Sequence, residues 1–415
     1  MADIPQPPVQ PPAPSQSQPP AGQAPPQATA LPIQPQTPTW APPQSQPQAP
    51  APMQPPAINP QPPPAYVFTQ ADQYVLNGQF SSDIAAFKAC GSFTTGYPPL
   101  DRIQPFYPGL YCLGAISSLG KTTFALQLAD QVAASGRWVV YFSLEQTRFE
   151  LISKSLARGF FLKERVATLR KKAPSGLPTP SSIDIRRGVV GSAWPQELQE
   201  QIDYYVTHVR ERMCIVHGAF SMTVEDIRNV MMNVIQTVKA VDPNAAPPLI
   251  VVDYLQIVSP TTVNGRVPDS KTSIDHIVHS LKVLQQQYDL TVLAISSLNR
   301  QNYLTPIDFE SFKESGGIEY TADVIWGLQL ALLNQEAFYV KIDPNTGKHQ
   351  GPRSMKEQHD MINKAKRQSP RDIDLVCLKN RYGISSYDVS LAYYPAHDYV
   401  WGVYNPNDPD SLPRY

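Results

Sequence analysis

The segment that most constrains the fold of this chain is AISSLGKT, at residues 115–122. It follows an apolar run at residues 110–113 and opens a helical-looking stretch, as a loop between a strand and a helix would. Such a loop turns backbone N–H groups and a helix N-terminus toward a triphosphate, while its lysine neutralises phosphate charge and its hydroxyl holds Mg²⁺. The segment therefore predicts a nucleoside triphosphate site.

The expected nucleotide-binding residues lie in this loop and the helix that follows it. They are Ala115, Ser117, Ser118, Gly120, Lys121, Thr122 and Thr123. The first of them departs from the G-x-x-x-x-G-K-[ST] pattern, since alanine stands where glycine is usual. Alanine fits there if its φ is negative. The alternative interpretation is an ordinary strand-to-helix turn that contains Gly-Lys-Thr.

From residue 94 onward, apolar strand patterns alternate with amphipathic helix patterns. The strand candidates are residues 111–115, 138–143, 214–217, 249–253, 291–296, 324–330 and 373–378. This alternation predicts an α/β fold whose mostly parallel sheet is covered by helices on both faces. We expect one domain over residues 93–415, with an exposed polar insertion at residues 332–370.

The first 65 residues do not fit such a domain. They are rich in proline, glutamine and alanine and contain a single charged residue, Asp3. Such a segment buries too little apolar surface to offset chain entropy, so it predicts a disordered arm with polyproline II character. The arm is either a passive tether or a docking segment for a proline-recognising protein partner. Residues 66–92 have sparse apolar positions and predict a short helical linker.

Composition narrows the range of partners and compartments. The formal net charge of -1 argues against a protein whose whole surface coats DNA, but it allows a local basic strip. The four cysteines lack C-x-x-C spacing, which favours free thiols in a reducing cytosol. No signal peptide or membrane-length apolar stretch occurs in the sequence. We therefore expect a cytoplasmic protein with no membrane partner.

Two carboxylates follow strand patterns where chemistry on a bound triphosphate needs them. Asp253 ends the run LIVVD, and Glu145 follows the run VVYFS. Because the ends of parallel strands meet at one sheet edge, Asp253 is placed to orient Mg²⁺ and Glu145 to polarise an attacking water. The alternatives are a helix-capping aspartate and a surface glutamate.

Six motifs occur in the order found in the motor domain of DnaB-type replicative helicases, which the chain resembles. They are the phosphate loop, FSLE at 142–145, DYLQ at 253–256, SSLNR at 296–300, KESGGIE at 313–319 and KNRYG at 379–383. The resemblance covers about residues 93–405. It implies a RecA-like ATPase that assembles as a ring, usually a hexamer, with ATP bound between neighbouring subunits.

The resemblance also implies roles for individual residues at the ATP site. Lys121 would bind the β- and γ-phosphates, Thr122 and Asp253 would hold Mg²⁺, and Glu145 would activate water. Arg381 resembles an arginine finger that enters the adjacent subunit's site, where its positive charge would stabilise the transition state.

Lys379 would be the companion of that finger. Without the resemblance, Lys379 and Arg381 would be interpreted as a surface basic pair. Lys313, Glu314 and Gly316 resemble the loop that grips single-stranded DNA in the ring's channel, since a lysine can bind phosphate and small residues let the backbone approach the strand. The alternative for this segment is a flexible glycine loop with a helix cap.

Two departures from the family leave other functions open. Ser297 stands where the family usually has a glutamine that senses the γ-phosphate, and the family's helical N-terminal domain has no counterpart in the arm and linker. We expect an ATP-dependent DNA helicase or translocase. The alternatives are an ATP-switched assembly or loading factor, and a nucleotide-binding scaffold without turnover.

Deleting residues 1–65 should leave the basal ATPase rate unchanged, because a disordered tether contributes nothing to the active site. The measurement is ATP hydrolysis by the full chain and by the truncated chain at equal concentration. A large loss of rate on truncation would show that the arm does more than tether.

Overall fold

A computed structural model describes residues 71–171, 176–218, 221–260, 269–299, 303–312, 316–343 and 345–402. The predicted arm, the start of the linker, and Lys313 and Glu314 of the DNA loop lie outside these ranges. The helices are α1 Ala71–Leu76, α2 Gln79–Cys90, α3 Pro98–Asp101, α4 Lys121–Ala134, α5 Arg148–Lys171, α6 Ser182–Arg186, α7 Val189–Ala193, α8 Pro195–His208, α9 Val224–Val241, α10 Ser270–Gln287, α11 Gly316–Thr321, α12 Glu336–Tyr339 and α13 Met355–Arg367. The strands are β1 Gly109–Ala115, β2 Val139–Ser143, β3 Met213–His217, β4 Leu249–Asp253, β5 Thr291–Ser297, β6 Val324–Leu330, β7 Val340–Ile342, β8 His349–Pro352, β9 Arg371–Asn380, β10 Asp388–Tyr394 and β11 Tyr399–Gly402.

The main sheet has nine strands in the order β11-β10-β9-β6-β1-β5-β4-β2-β3. The run from β6 to β3 is parallel throughout, while β9, β10 and β11 are antiparallel. The predicted α/β fold with a mostly parallel sheet is confirmed. The carboxyl ends of all the parallel strands therefore lie on the same side of the sheet, and the phosphate loop lies on that side.

The central strands are apolar along their whole length because both faces of the sheet are covered. Every residue of β1, β2 and β4 is buried, as expected for strands packed between two helical layers. Helix α9 begins with a capping box formed by Thr223 and Asp226, and the face of α10 that includes Ile274 and Ile277 packs into the core. The core thus forms around strands that the sequence identifies by their apolar runs.

The antiparallel edge is larger than the sequence pattern predicts. Strand β9 extends two residues beyond the predicted range at each end, and β10 and β11 follow it in a meander. Along β10 buried and exposed residues alternate, so its apolar content is too low to stand out as a buried strand. The predicted insertion at residues 332–370 forms α12, the β7–β8 hairpin and α13.

Two helices occupy the described part of the predicted linker. On α2, Phe80, Ile84 and Phe87 are all exposed, at 46%, 41% and 49% of their surface. The role of these helices as a linker stays a prediction. Among the described residues, no helix combines the length and the hydrophobicity needed to cross a membrane.

Substituting Gly114 by alanine should destabilise the chain by about 1–3 kcal/mol, because the core is closely packed at this point of β1. A Cβ atom there would lie 2.5 Å from the Phe312 ring and 2.7 Å from Leu298. The control is Gly191→Ala, whose Cβ would come no closer than 3.9 Å to Leu198. Denaturant unfolding should show a loss for the first variant only, and equal stability of the two variants would contradict the packing described.

Candidate nucleotide site

The phosphate loop joins the end of β1 to the start of α4. Ser118 and Gly120 both have left-handed backbone conformations, with φ of 67° and 87°. Glycine takes this conformation without strain, while serine does not. Ala115 is the last residue of β1 and has an ordinary strand conformation, so alanine is accommodated at the first position of the motif.

A cleft of about 390 Å³ opens above this loop. The predicted residues that line it are Ser117, Ser118, Gly120, Lys121, Thr122, Thr123, Glu145 and Asp253. Ser297, the position of the departure from the family pattern, also lines it. Four further residues, which were not among the predicted site residues, also line it: Gln146, Lys154, Tyr254 and Tyr393. The fold therefore brings the ends of β1, β2, β4 and β5 to one site.

The carboxylate of Asp253 is buried at the floor of this cleft, with 3% of the residue exposed. Burial raises its pKa, while hydrogen bonds from the Tyr141 and Thr122 hydroxyls lower it in part. Tyr141 donates its bond over 2.8 Å. A buried carboxylate beside a threonine hydroxyl is a hard-oxygen donor set that fits Mg²⁺.

Lys121 provides the positive charge of the cleft. Its Nζ donates to the Ala115 carbonyl oxygen over 2.9 Å. Burial lowers the pKa of this lysine, whereas the charges of Asp253 and Glu145 raise it. Glu145 lies two residues beyond the end of β2 and is exposed at the cleft. A cation and an accessible carboxylate therefore lie in the same opening.

The hydroxyl of Thr123 has a structural partner. It donates to Asp398 Oδ1 over 3.1 Å, and the same oxygen accepts a 2.6 Å bond from Lys154 Nζ. This network ties the first turn of α4 to the turn before β11. Any contact of Thr123 with a nucleotide would therefore come from its backbone N–H at the helix N-terminus.

Arg381 and the phosphate loop lie at opposite ends of the parallel strands: the loop follows their carboxyl ends, and Arg381 lies beside their amino ends. Asn380 pairs with Val324 at the start of β6, and the next residue, Arg381, forms an ion pair with Asp323 over 3.1 Å. Asp323 also accepts a 2.8 Å bond from the backbone N–H of Leu110, at the beginning of β1. Leu110 and Ala115 are five residues apart on β1, so the phosphate loop lies roughly 16 Å from Asp323 along the strand, at about 3.3 Å per residue. Half of the Arg381 side chain is exposed.

Lys379 is anchored beside Arg381. Its Nζ donates to the backbone carbonyl oxygens of Glu319 and Tyr320, and Arg381 Nη2 donates to the latter over 3.3 Å. These carbonyls belong to the last turn of α11, which begins at Gly316 of the predicted DNA loop. The basic pair therefore docks on the short helix that leaves that loop.

Of the predicted DNA-binding residues, only Gly316 is described. The residues before the loop are fastened to the end of β5: Leu298 forms a bridge with Phe312, and the Asn299 N–H donates to the Ser311 carbonyl oxygen over 2.8 Å. Ser297, half-buried in the cleft, immediately precedes them. The backbone that follows Ser297 therefore connects the nucleotide cleft, through its pairing with Ser311 and Phe312, to the predicted DNA loop.

The model of the DnaB-like helicase C terminal domain matches residues 92–394. The chain belongs to this family. Replicative DNA helicase DnaB of Leifsonia xyli subsp. xyli is 26% identical to it over 267 residues, 62% of this chain and 50% of the relative. The Pasteurella multocida DnaB is 28% identical over 243 residues, 56% of this chain and 45% of the relative. The chain thus spans about half the length of these DnaB relatives.

Solved structures share the fold. A solved ATPase domain superposes with a TM-score of 0.56 at 19% identity, covering 81% of this chain and all of that domain. "The Structure Of A DnaB-Like Replicative Helicase And Its Interactions With Primase" superposes with a TM-score of 0.54 at 19% identity, covering 81% of this chain and 68% of that one. The predicted RecA-like DnaB-type domain is confirmed.

Asp253→Asn should stabilise the chain in the absence of nucleotide and Mg²⁺, by a few degrees in a thermal scan. Folding raises the pKa of Asp253, so its ionised form is less stable in the native state than in the unfolded state. Ionisation above the unfolded pKa therefore lowers the free energy of unfolding, and asparagine avoids this loss. The stabilisation by Asp253→Asn should be complete at neutral pH and should decrease as the pH falls toward about 4.

The control for this prediction is Asp269→Asn at the N-cap of α10. The backbone N–H of Thr272 lowers the pKa of Asp269, and asparagine caps a helix as well as aspartate does, so no gain is expected. A lower melting temperature for Asp253→Asn at neutral pH would contradict the electrostatic description of the cleft.

Proposed function

We propose that this chain is an ATP-dependent DNA helicase or translocase of the DnaB type. It works as a homo-oligomeric ring, expected to be a hexamer, hydrolyses ATP at subunit interfaces and grips single-stranded DNA in the channel. The observation that carries the proposal is the separation of Arg381 from the phosphate loop of its own chain. If Arg381 acts on a bound triphosphate, that triphosphate must belong to another subunit.

The separation follows from strand direction. The loop lies at the carboxyl edge of the parallel strands, and Arg381 lies beside Asp323 at their amino edge. A side chain about 7 Å long cannot span the roughly 16 Å of β1 that lies between them. Arg381 could therefore reach a triphosphate only on a neighbouring subunit, and its half-exposed side chain would exchange the ion pair with Asp323 for that contact.

The remaining roles fall to residues of the cleft. Lys121 would exchange its bond to the Ala115 carbonyl for the β- and γ-phosphates. Glu145 would accept a proton from the attacking water, since it is the exposed carboxylate at the opening. Thr122 and Asp253 would hold Mg²⁺, which when bound neutralises phosphate charge. Arg381 from the neighbour, with Lys379 anchored beside it on the carbonyl oxygens of Glu319 and Tyr320, would stabilise the charge that develops in phosphoryl transfer.

The exposed face of α2 supports assembly with a second copy. Phe80, Ile84 and Phe87 recur at helical spacing, and a water-exposed row of this size is costly unless it is covered. We propose that a neighbouring copy of this chain covers this face in the ring.

DNA gripping rests on the family resemblance of Lys313, Glu314 and Gly316 and on the anchoring of their flanks. Because Leu298 and Phe312 are paired through their backbones, a movement of the end of β5 would be transmitted directly to the DNA loop. Contacts of this kind bind backbone phosphates and discriminate little between sequences. The proline-rich arm is proposed to be a tether with a proline-recognising partner as its alternative role.

An ATP-switched assembly or loading factor remains the second candidate, and Ser297 favours it. Its hydroxyl is too short to bridge the cleft as a glutamine would, and its backbone N–H is occupied by Gln256 Oε1 at 3.2 Å. ATPase stimulation by single-stranded DNA separates the candidates: the motor predicts a faster rate with DNA, and the switch predicts equal rates.

Mixing Lys121→Ala subunits with Arg381→Ala subunits should restore part of the ATPase activity that each variant lacks alone. Each variant should lose at least about 100-fold, because the lysine and the finger both act on the transferred phosphate. In a random one-to-one mixture, roughly a quarter of the interfaces combine an intact loop with an intact finger.

The control mixture pairs Lys121→Ala subunits with the double variant Lys121→Ala, Arg381→Ala, in which no interface has an intact loop. Rates are measured with and without single-stranded DNA at several mixing ratios. Absence of rescue at every ratio would argue against a site shared between subunits.

A further inference from the structure

Strand β9 begins beside the phosphate loop of its own chain. The Nη1 of Arg371, the first residue of β9, donates to the backbone carbonyl oxygen of Ser118 over 2.7 Å. Ser118 is the loop residue that adopts a left-handed conformation despite its side chain. A charged donor on its carbonyl offsets that unfavourable conformation, because charge-assisted hydrogen bonds are the stronger class. Arg371 thus fixes the orientation of one peptide of the loop.

Tyr393 contacts the same loop from the neighbouring strand. It is the cross-strand partner of Arg371 in the β9–β10 ladder, and the guanidinium carbon lies 5.5 Å from its ring centroid. A Cβ atom added to Gly120 would fall 2.9 Å from the Tyr393 ring, so the ring is in direct contact with the loop backbone. The pair Arg371 and Tyr393 therefore contacts both left-handed residues of the loop.

The charge of Arg371 is not neutralised as that of Lys154 is. Lys154 is paired with Asp398, whereas no carboxylate within the described ranges forms an ion pair with Arg371. A cationic neighbour, Lys366, lies close enough for the Arg371 charge to lower the pKa of Lys366, after the larger effect of burial. An unpaired cation next to the loop adds attraction for a triphosphate.

We propose that Arg371 is a positioning residue for nucleotide binding, which holds the Ser118 peptide so that the phosphate loop of its own subunit keeps its binding shape. The inference rests on the proposed ATPase function. It assigns the two ends of β9 to different sites: Arg371 serves the loop in cis, and Arg381 serves the loop of the neighbour.

The direct test measures the Kd of a fluorescent ATP analogue with Mg²⁺, together with KM and kcat for ATP. Arg371→Ala should raise Kd and KM about tenfold and lower kcat much less, since it removes a charged hydrogen bond that shapes the loop. Arg371→Lys keeps the charge and one donor, so it should recover most of the affinity. Arg367→Ala, which removes an exposed arginine at the end of α13, is the charge-matched control and should bind as the parent does.

Parent affinity in Arg371→Ala would overturn this inference alone, while failure of the parent to bind ATP would overturn the proposed function as well. If Arg371→Ala does not fold, Arg371→Met decides, because it keeps most of the side-chain length and removes both the charge and the donor: a Kd raised several-fold supports positioning, and an unchanged Kd overturns it.

Subunit mixing provides a second readout that a general loss of stability would not reproduce. At an ATP concentration well below the KM of the parent, Arg371→Ala subunits mixed with Arg381→Ala subunits should be more active than the average of the two unmixed variants, because the intact loop of one meets the intact finger of the other. Arg371→Ala mixed with Lys121→Ala should not, because both loops are impaired. Rescue in the second mixture would overturn the assignment of Arg371 to its own loop.

Discussion

The antiparallel pairing of β9 with β6 is the constraint from which the rest of this account follows. Because β9 runs against the parallel strands, its first residue lies at the edge that carries the phosphate loop and its last lies at the other edge, roughly 30 Å away along ten residues. Arg371 therefore meets the loop of its own chain, whereas Arg381 cannot. A parallel β9 would exchange these positions. The direction of one strand thus places Arg381 where it could act only on the site of a second subunit.

The cleft itself is costly to maintain when no ligand fills it. Asp253 is a buried carboxylate, Lys121 is a partly desolvated cation bound to a carbonyl of its own loop, and Ser118 has a strained backbone. A nucleotide and a cation would relieve these costs together, so binding is linked to stability. Arg371 and Tyr393 hold the loop in shape when no ligand is bound, and they belong to the antiparallel strands β9 and β10 and not to the parallel strands.

Much of the fold was predictable, because buried parallel strands have continuous apolar runs: β4 and β6 have the predicted bounds, and β1 carries the loop as expected. Glu145 and Asp253 reach the cleft since strand ends converge. The sequence carried no comparable signal for β10, whose residues alternate between buried and exposed, and so Tyr393 was missed. Arg371 lay outside the predicted strand and in no motif. Its role depends on cross-strand register, which apolar periodicity does not reveal.

The central claim is that each triphosphate is held by one subunit and completed by Arg381 of the next. A cryo-electron microscopy structure of the assembled chain with ADP, aluminium fluoride and Mg²⁺ tests it most directly. We expect the guanidinium of a neighbour's Arg381 within hydrogen-bonding distance of the fluoride, with Arg371 still bonded to Ser118 of the subunit that binds the nucleotide. A cleft completed only by residues of its own subunit, with Arg381 still on Asp323, would contradict it.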